Sequence, residues 1–508
     1  MLSTRRQFLI TSVAAASAFA GCTLWQDERA KSADTADGGQ RRRLIAERRV
    51  IEVNGRSASM LGLRQQDGTR GIFLDPDERF IVDLDNQMSD TTIIHWHGQT
   101  PPSAMDGVSD LGISPIQPAE QRPYEFVARP GTHWMHSHQA LQHQQLLAGP
   151  LIVRTADDRR EDRQEITIFL EDFLFADPME VLESLQRGED DSDMPAKQVA
   201  ATTSSSKQMA SMMADRGMAR MGAANSMAGM QTAAAMPAMK MDLNDVDFDA
   251  YLANERTLED PEVIHVEKGG KVRLRVINGA SSTNFHLELG TLNGTVTAVD
   301  GDAVLPLTGS RFGLAMAQRI DILVDLPDSP GAWPVLALRE GEAQQTGVIL
   351  ATSGAAVPKL SSRAASAAGP VTFELENRLS AAVPLLTRPV DKQFMLMLGG
   401  SMHPYAWTIN GRDWENRDPL QVRKGQRVSL TFHNLTMMSH PMHLHGHHFQ
   451  VVAINGAKFS GAMRDTVHVP PTSKVVVEFD ADNEGRWLLH CHNLYHMQTG
   501  MMTEVTYV

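Results

Sequence analysis

The stretch "HCHNLYHMQTGM", His490 to Met501, carries three histidines, one of the chain's two cysteines, and a methionine five residues beyond the last histidine. Imidazole, thiolate and thioether together form a donor set for a redox-active first-row metal ion. Three further stretches repeat the histidine spacing: "HWHG" with His95 and His97, "HSH" with His136 and His138, and "HPMHLHG" with His440, His443 and His445. On an extended strand, residues i and i+2 share a face and i+1 points to the other. His95/His97, His136/His138, His443/His445 and His490/His492 are therefore four same-face pairs. Cys491 points away from its two neighbours, and His440 has the opposite parity from His443.

Two separate metal sites follow. Thiolate, two imidazoles and a distant thioether make the trigonal His₂Cys set with weak axial Met of a blue-copper electron-transfer centre. His440, Cys491, His496 and Met501 supply it. Eight imidazoles are too many for one ion, but they suit three coppers sharing two, three and three ligands. Since His490 and His492 flank Cys491 covalently, electrons can pass between the sites through a strand, over a distance on the order of 10 Å.

These residues need rigid β elements under them. Short β-branched runs bounded by turn residues recur throughout, among them "RFIVDLDN", "EITIFLEDF", "KVRLRVIN", "RVSLTFHN" and "KVVVEFDAD", while long helical patterns are scarce. Three such runs end in Asn, and each Asn precedes a Gly by twelve residues: Asn86 to "HWHG", Asn278 to "LELG" and Asn434 to "HLHG". A second pattern follows in each copy, "GTHWMHSH", "GAWPVLAL" and "GRWLLHCH". The chain reads as one β-sandwich unit repeated three times. In the middle copy Leu287, Leu289, Leu336 and Leu338 stand where its siblings hold histidines, so the metal cluster is expected between the first and third copies. The expected divisions are 45–158, 160–355 and 371–508, with a linker over 356–370.

The N-terminus "MLSTRRQFLITSVAAASAFAGC" joins Arg5-Arg6 to an apolar run and an Ala18-x-Ala20 pattern, which reads as an export signal of twin-arginine type over 1–22. A flexible segment over 23–44 is expected to follow. Cys22 is a candidate lipid-attachment cysteine, which would leave Cys491 unpaired and reserved for its thiolate. No later apolar run is long enough to span a membrane. The net charge of −14 argues against nucleic acid or an anionic membrane surface as partner.

Through "HWHG", "HSH", "HPMHLHG" and "HCHNLYHMQTGM" the chain resembles the three-domain, laccase-like multicopper oxidases over about residues 45 to 508. The resemblance implies three cupredoxin-like, all-β domains and a periplasmic enzyme that oxidises a substrate at the blue centre and reduces O₂ to water at the cluster. It also implies four coppers. The one of type 1 is the blue centre. The type 2 ion falls to His95 and His443, and the type 3 pair to His97, His136, His138, His445, His490 and His492. Asp106, eleven residues after His95, matches an acid that assists protonation of reduced oxygen in related bacterial cuprous oxidases. Met497 stands where some relatives have a glutamate in the proton path. "HNLYHM" and "NLTMMSHPMHLHG", with Met437 and Met438 just ahead of His440, resemble the copper-resistance branch. The other nine histidines, including His133, His143, His447 and His448, match no ligand position.

A segment from Met194 to Met241 holds eleven of the 28 methionines, Met209, Met212, Met213, Met218, Met221, Met227 and Met230 among them. Between Ala200 and Ala235 it contains no Leu, Ile, Val or aromatic residue, so it is a poor core helix. Thioethers select Cu(I) without needing deprotonation. Cu(I) is thus the expected reductant, with O₂ as acceptor. The alternatives are laccase-like oxidation of phenols, siderophores or Mn(II), and copper sequestration by the methionine segment.

Overall fold

The protein is described by a computed structural model, which places residues 40–188 and 243–508. The export signal with Cys22, and the methionine segment with Met209, Met212, Met213, Met218, Met221, Met227 and Met230, lie outside the described residues. Among the described residues the longest helix is Pro178–Arg187, started by the Asp177 side chain and a proline in its first turn. No described helix is long and apolar enough to cross a membrane.

Strands dominate the described residues, where they pair into six sheets, two for each repeat. Each of the three repeat asparagines ends a strand, Phe80–Asn86, Lys271–Asn278 and Arg427–Asn434. Their buried side chains make the same contacts in each copy. Asn86 Nδ2 donates to Asp90 O and Ile116 O while Oδ1 accepts from Met88 N. Asn278 does the same with Thr283 O, Leu314 O and Ala280 N, and Asn434 with Met438 O, Val469 O and Thr436 N. A buried amide that ties a strand end to the loop after it and to a backbone carbonyl of a neighbouring segment cannot be replaced by an apolar residue without orphaning backbone groups. That explains why the asparagine persists in all three copies.

The middle copy departs from its siblings in register. In the third copy His443 lies opposite His490, and in the first His95 lies opposite His136. In the second, Leu287 lies opposite Ala337 and Glu288 opposite Leu336, one residue displaced. A one-residue shift turns a strand's side chains over. Val335 and Ala337 accordingly pack inward, and Leu336 is only half-buried. Equal spacing in the sequence therefore does not place Leu336 where His490 sits.

Residues 356–382, which include the expected linker and the expected start of the third domain, lie along the second domain rather than spanning free between the two, and Leu385, Arg388 and Asp391 then bond to the third. Gln344 bridges to Arg363 and Val304 to Ala381, and Leu375 and Leu379 are buried in the common core. The first strand of the third domain is Lys392–Met402.

Candidate metal centre

In each of the four histidine pairs the strand ends between the two members. Strands Ile94–His95, Gly131–Ser137, His440–Leu444 and Arg486–Cys491 close just before His97, His138, His445 and His492. The sequence reading treats both members as extended. Instead the second leaves on the departing turn, where Gly98 and Gly446 take positive φ of 85° and 65°. Both rings of every pair still reach one buried cluster, the first from the sheet and the second from its edge.

The eight imidazoles fall into three groups. His97, His136 and His492 present ligand atoms within 4.8 Å of one another, as do His138, His445 and His490. His95 Nε2 faces His443 Nε2 at 3.4 Å. All eight are buried. Burial holds seven of these rings neutral: desolvation pushes His97, His136, His138, His443, His445 and His492 well below the usual imidazole range, and His490 to about 4.

Second contacts fix which nitrogen is free. His95 Nδ1 bonds Asp106 O at 3.0 Å and His443 Nδ1 bonds Asp465 O at 2.9 Å, so the two facing Nε2 atoms both carry lone pairs. The same holds for His445 and His490, whose Nε2 atoms stand 3.0 Å apart while Asp106 Oδ2 and Cys491 O take their Nδ1 atoms. Lone pair against lone pair in a dry cavity is repulsive unless a cation lies between. Nδ1 of His97, Nε2 of His136 and both nitrogens of His138 and His492 are buried with no hydrogen-bond partner. The residues fit a set of shared metal ions.

Asp106 is buried and touches two of these rings, with Oδ2 2.7 Å from His445 Nδ1 and Oδ1 3.3 Å from His95 Nδ1. It is the one carboxylate expected from the sequence, and it reaches the cluster. Asp465 was not expected. Its Oδ1 accepts from His97 Nε2 at 3.0 Å, and nothing about "RDTV" by itself marks it as part of a site.

The second site lies in the third domain. His440 Nδ1 and His496 Nδ1 are 3.1 Å apart, and Cys491 Sγ lies 3.7 and 3.6 Å from them. An ion bonded at about 2.0 Å to nitrogen and about 2.3 Å to sulfur would span that triangle with angles of roughly 100–120°. Met501 is buried, and its main chain is tied to Cys491 N and His496 O. Burial raises the Cys491 thiol, so a cation must displace its proton to gain the thiolate. His440 Nε2 bonds Thr436 Oγ1 at 2.8 Å, and the Trp407 ring stacks on His496 at 4.0 Å.

His496 Nε2 lies 3.0 Å from Asp245 Oδ2. Asp245 belongs to the second domain and also accepts from Tyr405 Oη and Asn493 Nδ2. Burial pushes its carboxyl up, but His496, Asn493 and Tyr405 outweigh that and leave it below the usual carboxylate range. Met438 is buried and Met437 half-buried beside Thr436. Met497 is buried in the short helix Leu494–Gln498. None of the other nine histidines joins a metal-holding group among the described residues. His447 bonds Tyr507 Oη and His445 O, and His448 bonds Asp302 and Gly98 O.

Three multicopper oxidase family models match residues 47–158, 165–355 and 387–508. The multicopper oxidase MmcO of Mycobacterium tuberculosis is 31% identical over 85% of this chain and 80% of its own. Copper resistance protein A of Escherichia coli is 27% identical over 83% and 84%. Among solved structures, the iron-import multicopper oxidase Fet3p superposes with TM-score 0.73 at 16% identity over 92% of this chain and 90% of its own. A laccase from Botrytis aclada gives 0.69 at 21% identity over 93% and 89%. With cupredoxin folds in all three repeats, histidine clusters that fit copper and these relatives, the chain belongs to the multicopper oxidase family.

Proposed function

We propose that the protein oxidises Cu(I) to Cu(II) at the Cys491 pocket and passes the electrons to O₂, which is reduced to water at the eight-histidine cluster, in the service of copper tolerance. Type 1 copper is assigned to His440, Cys491, His496 and Met501. The type 2 ion is assigned to His95 and His443, and the type 3 pair to the two histidine trios, giving four ions. Copper bound there supplies one-electron chemistry at the first site and four-electron chemistry at the second. One observation carries the reading: Cys491 Sγ meets His440 and His496 while the adjoining His490 and His492 each join a different trio. Through Cys491 one pocket is thus wired by covalent bonds to both halves of the other.

Cu(I) is favoured as reductant because His440 and His496 have no accessible surface and both Nε2 atoms are engaged by Thr436 and Asp245. A bulky phenol has no imidazole edge to touch, whereas a small ion held by thioethers such as Met437 needs none. Asp106, which touches His95 and His445, would hand protons to reduced oxygen. The relatives' printed names, a copper resistance protein and laccases, support either reductant class. Export to the periplasm by the twin-arginine route, with or without a lipid at Cys22, belongs to the same proposal.

Oxygen uptake by the copper-loaded protein with Cu(I), an aromatic diamine and Mn(II) tests this. Cu(I) is expected to support the highest turnover, and deletion of residues 200–240 to lower it while raising diamine oxidation. Rapid diamine or Mn(II) turnover with an inert Cu(I) would overturn the choice of reductant.

A further inference from the structure

The middle domain holds none of the residues assigned to copper, yet three of its residues grip the turn that orients two of them. Arg319 has no accessible surface. Its Nη1 donates to Asp465 Oδ1 at 2.7 Å, its Nη2 donates to Asp465 Oδ2, and its Nε donates to Thr132 O at 3.1 Å on the strand that carries His136. Gln318 Nε2 donates to Thr466 O at 3.1 Å, and Asp300 accepts from Thr466 N at 3.4 Å through Oδ2 and from the Arg319 amide at 2.9 Å through Oδ1. The gripped pair, Asp465 and Thr466, faces the cluster from the other side.

Asp465 reads two histidines at once. Its Oδ1 accepts the Nε2 proton of His97, which leaves His97 Nδ1 as the lone pair in the cluster. Its carbonyl oxygen accepts the Nδ1 proton of His443, which leaves Nε2 facing His95. His97 comes from the first domain and His443 from the third. A bidentate guanidinium is the group that fixes a carboxylate plane, and an ammonium would supply the charge without the fork.

We propose that Arg319 is a positioning residue for the eight-histidine cluster: by clamping Asp465 it sets the tautomer and aim of His97 and His443. The ligand-free copy of the repeat thus acts as the brace between the two copies that bind metal. Loss of an orienting partner of this kind lowers metal affinity by about 10–100-fold. The type 2 position, with only two protein ligands, is the one that should empty first.

This inference rests on the copper assignment above, so wild-type protein is loaded first. Absence of both type 1 and type 2 paramagnetic signals there would sink that assignment, not the brace. Arg319→Lys and Asp465→Asn are then purified with copper, and copper per chain, both signals and the thermal midpoint are measured. Expected is full blue type 1 absorption with a midpoint close to wild type, copper falling from four towards three per chain, and a type 2 signal reduced at least tenfold. A full, unshifted type 2 signal in both variants would overturn the proposal. A parallel fall of type 1 and type 2 would also overturn it, because a merely structural role acts on both. Should Arg319→Lys fail to fold, Asp465→Asn, which keeps size and shape, decides between the same outcomes.

Discussion

The Cys491 pocket and the eight-histidine cluster differ in how many domains they need. His440, Cys491 and His496 come from one domain, within 56 residues of sequence, and the second domain adds Asp245 behind His496. The cluster takes four histidines from the first domain and four from the third, and Arg319 of the second holds Asp465 behind His97. A site closed within one sandwich can form when that sandwich folds. A site split across an interface exists only after docking, and it can be weakened without touching any ligand.

Cys491→Ser separates the two most strongly. It should abolish the blue absorption and reduce oxygen uptake to background while the cluster keeps its copper, which optical and paramagnetic spectra would show. Loss of cluster copper as well would mean that the two sites assemble together.

Asp106→Asn attacks the other side. Turnover should fall by about 10²-fold, the low end for a positioned proton donor, with reduction of the blue centre unchanged in stopped-flow traces. A slowed reduction phase would place Asp106 in the wrong half of the reaction.

Copper loading of the metal-free protein gives a smaller contrast. Cys491 must lose a proton that burial holds on, so affinity at its pocket should rise about tenfold per pH unit. Burial already holds seven of the cluster histidines below the usual imidazole range, His490 at about 4, so loading there should be nearly flat from pH 6 to 8. Equal slopes in a titration followed at both sites would contradict this. The smallest effect is expected from Asp245→Asn: removal of the anion beside His496 disfavours Cu(II) and should raise the potential of the blue centre by on the order of 60 mV, tenfold in a one-electron equilibrium. Redox titration checks it.

The same contrast explains what could be read without a structure. Strand parity separates Cys491 from His490 and His492 because the spacing is local, and the sandwich class follows from the repeated asparagine strands. The division of eight histidines into two trios and a facing pair is not local. His97, His136 and His492 meet only because two sandwiches pack, and parity treats them alike. Asp465, Arg319 and Asp245 carry no spacing signal, since each acts on a histidine tens to hundreds of residues away. The register shift at Leu336 was likewise invisible, because equal spacing cannot report which residue lies across the ladder.

The most direct measurement is the ratio of Cu(I) oxidised to O₂ consumed by the fully loaded protein. Four Cu(I), one O₂ and four protons giving four Cu(II) and two waters is the predicted balance, with no hydrogen peroxide. A ratio of two with peroxide released, or a rate no higher than that of the Cys491→Ser protein, would contradict the coupling of the two sites.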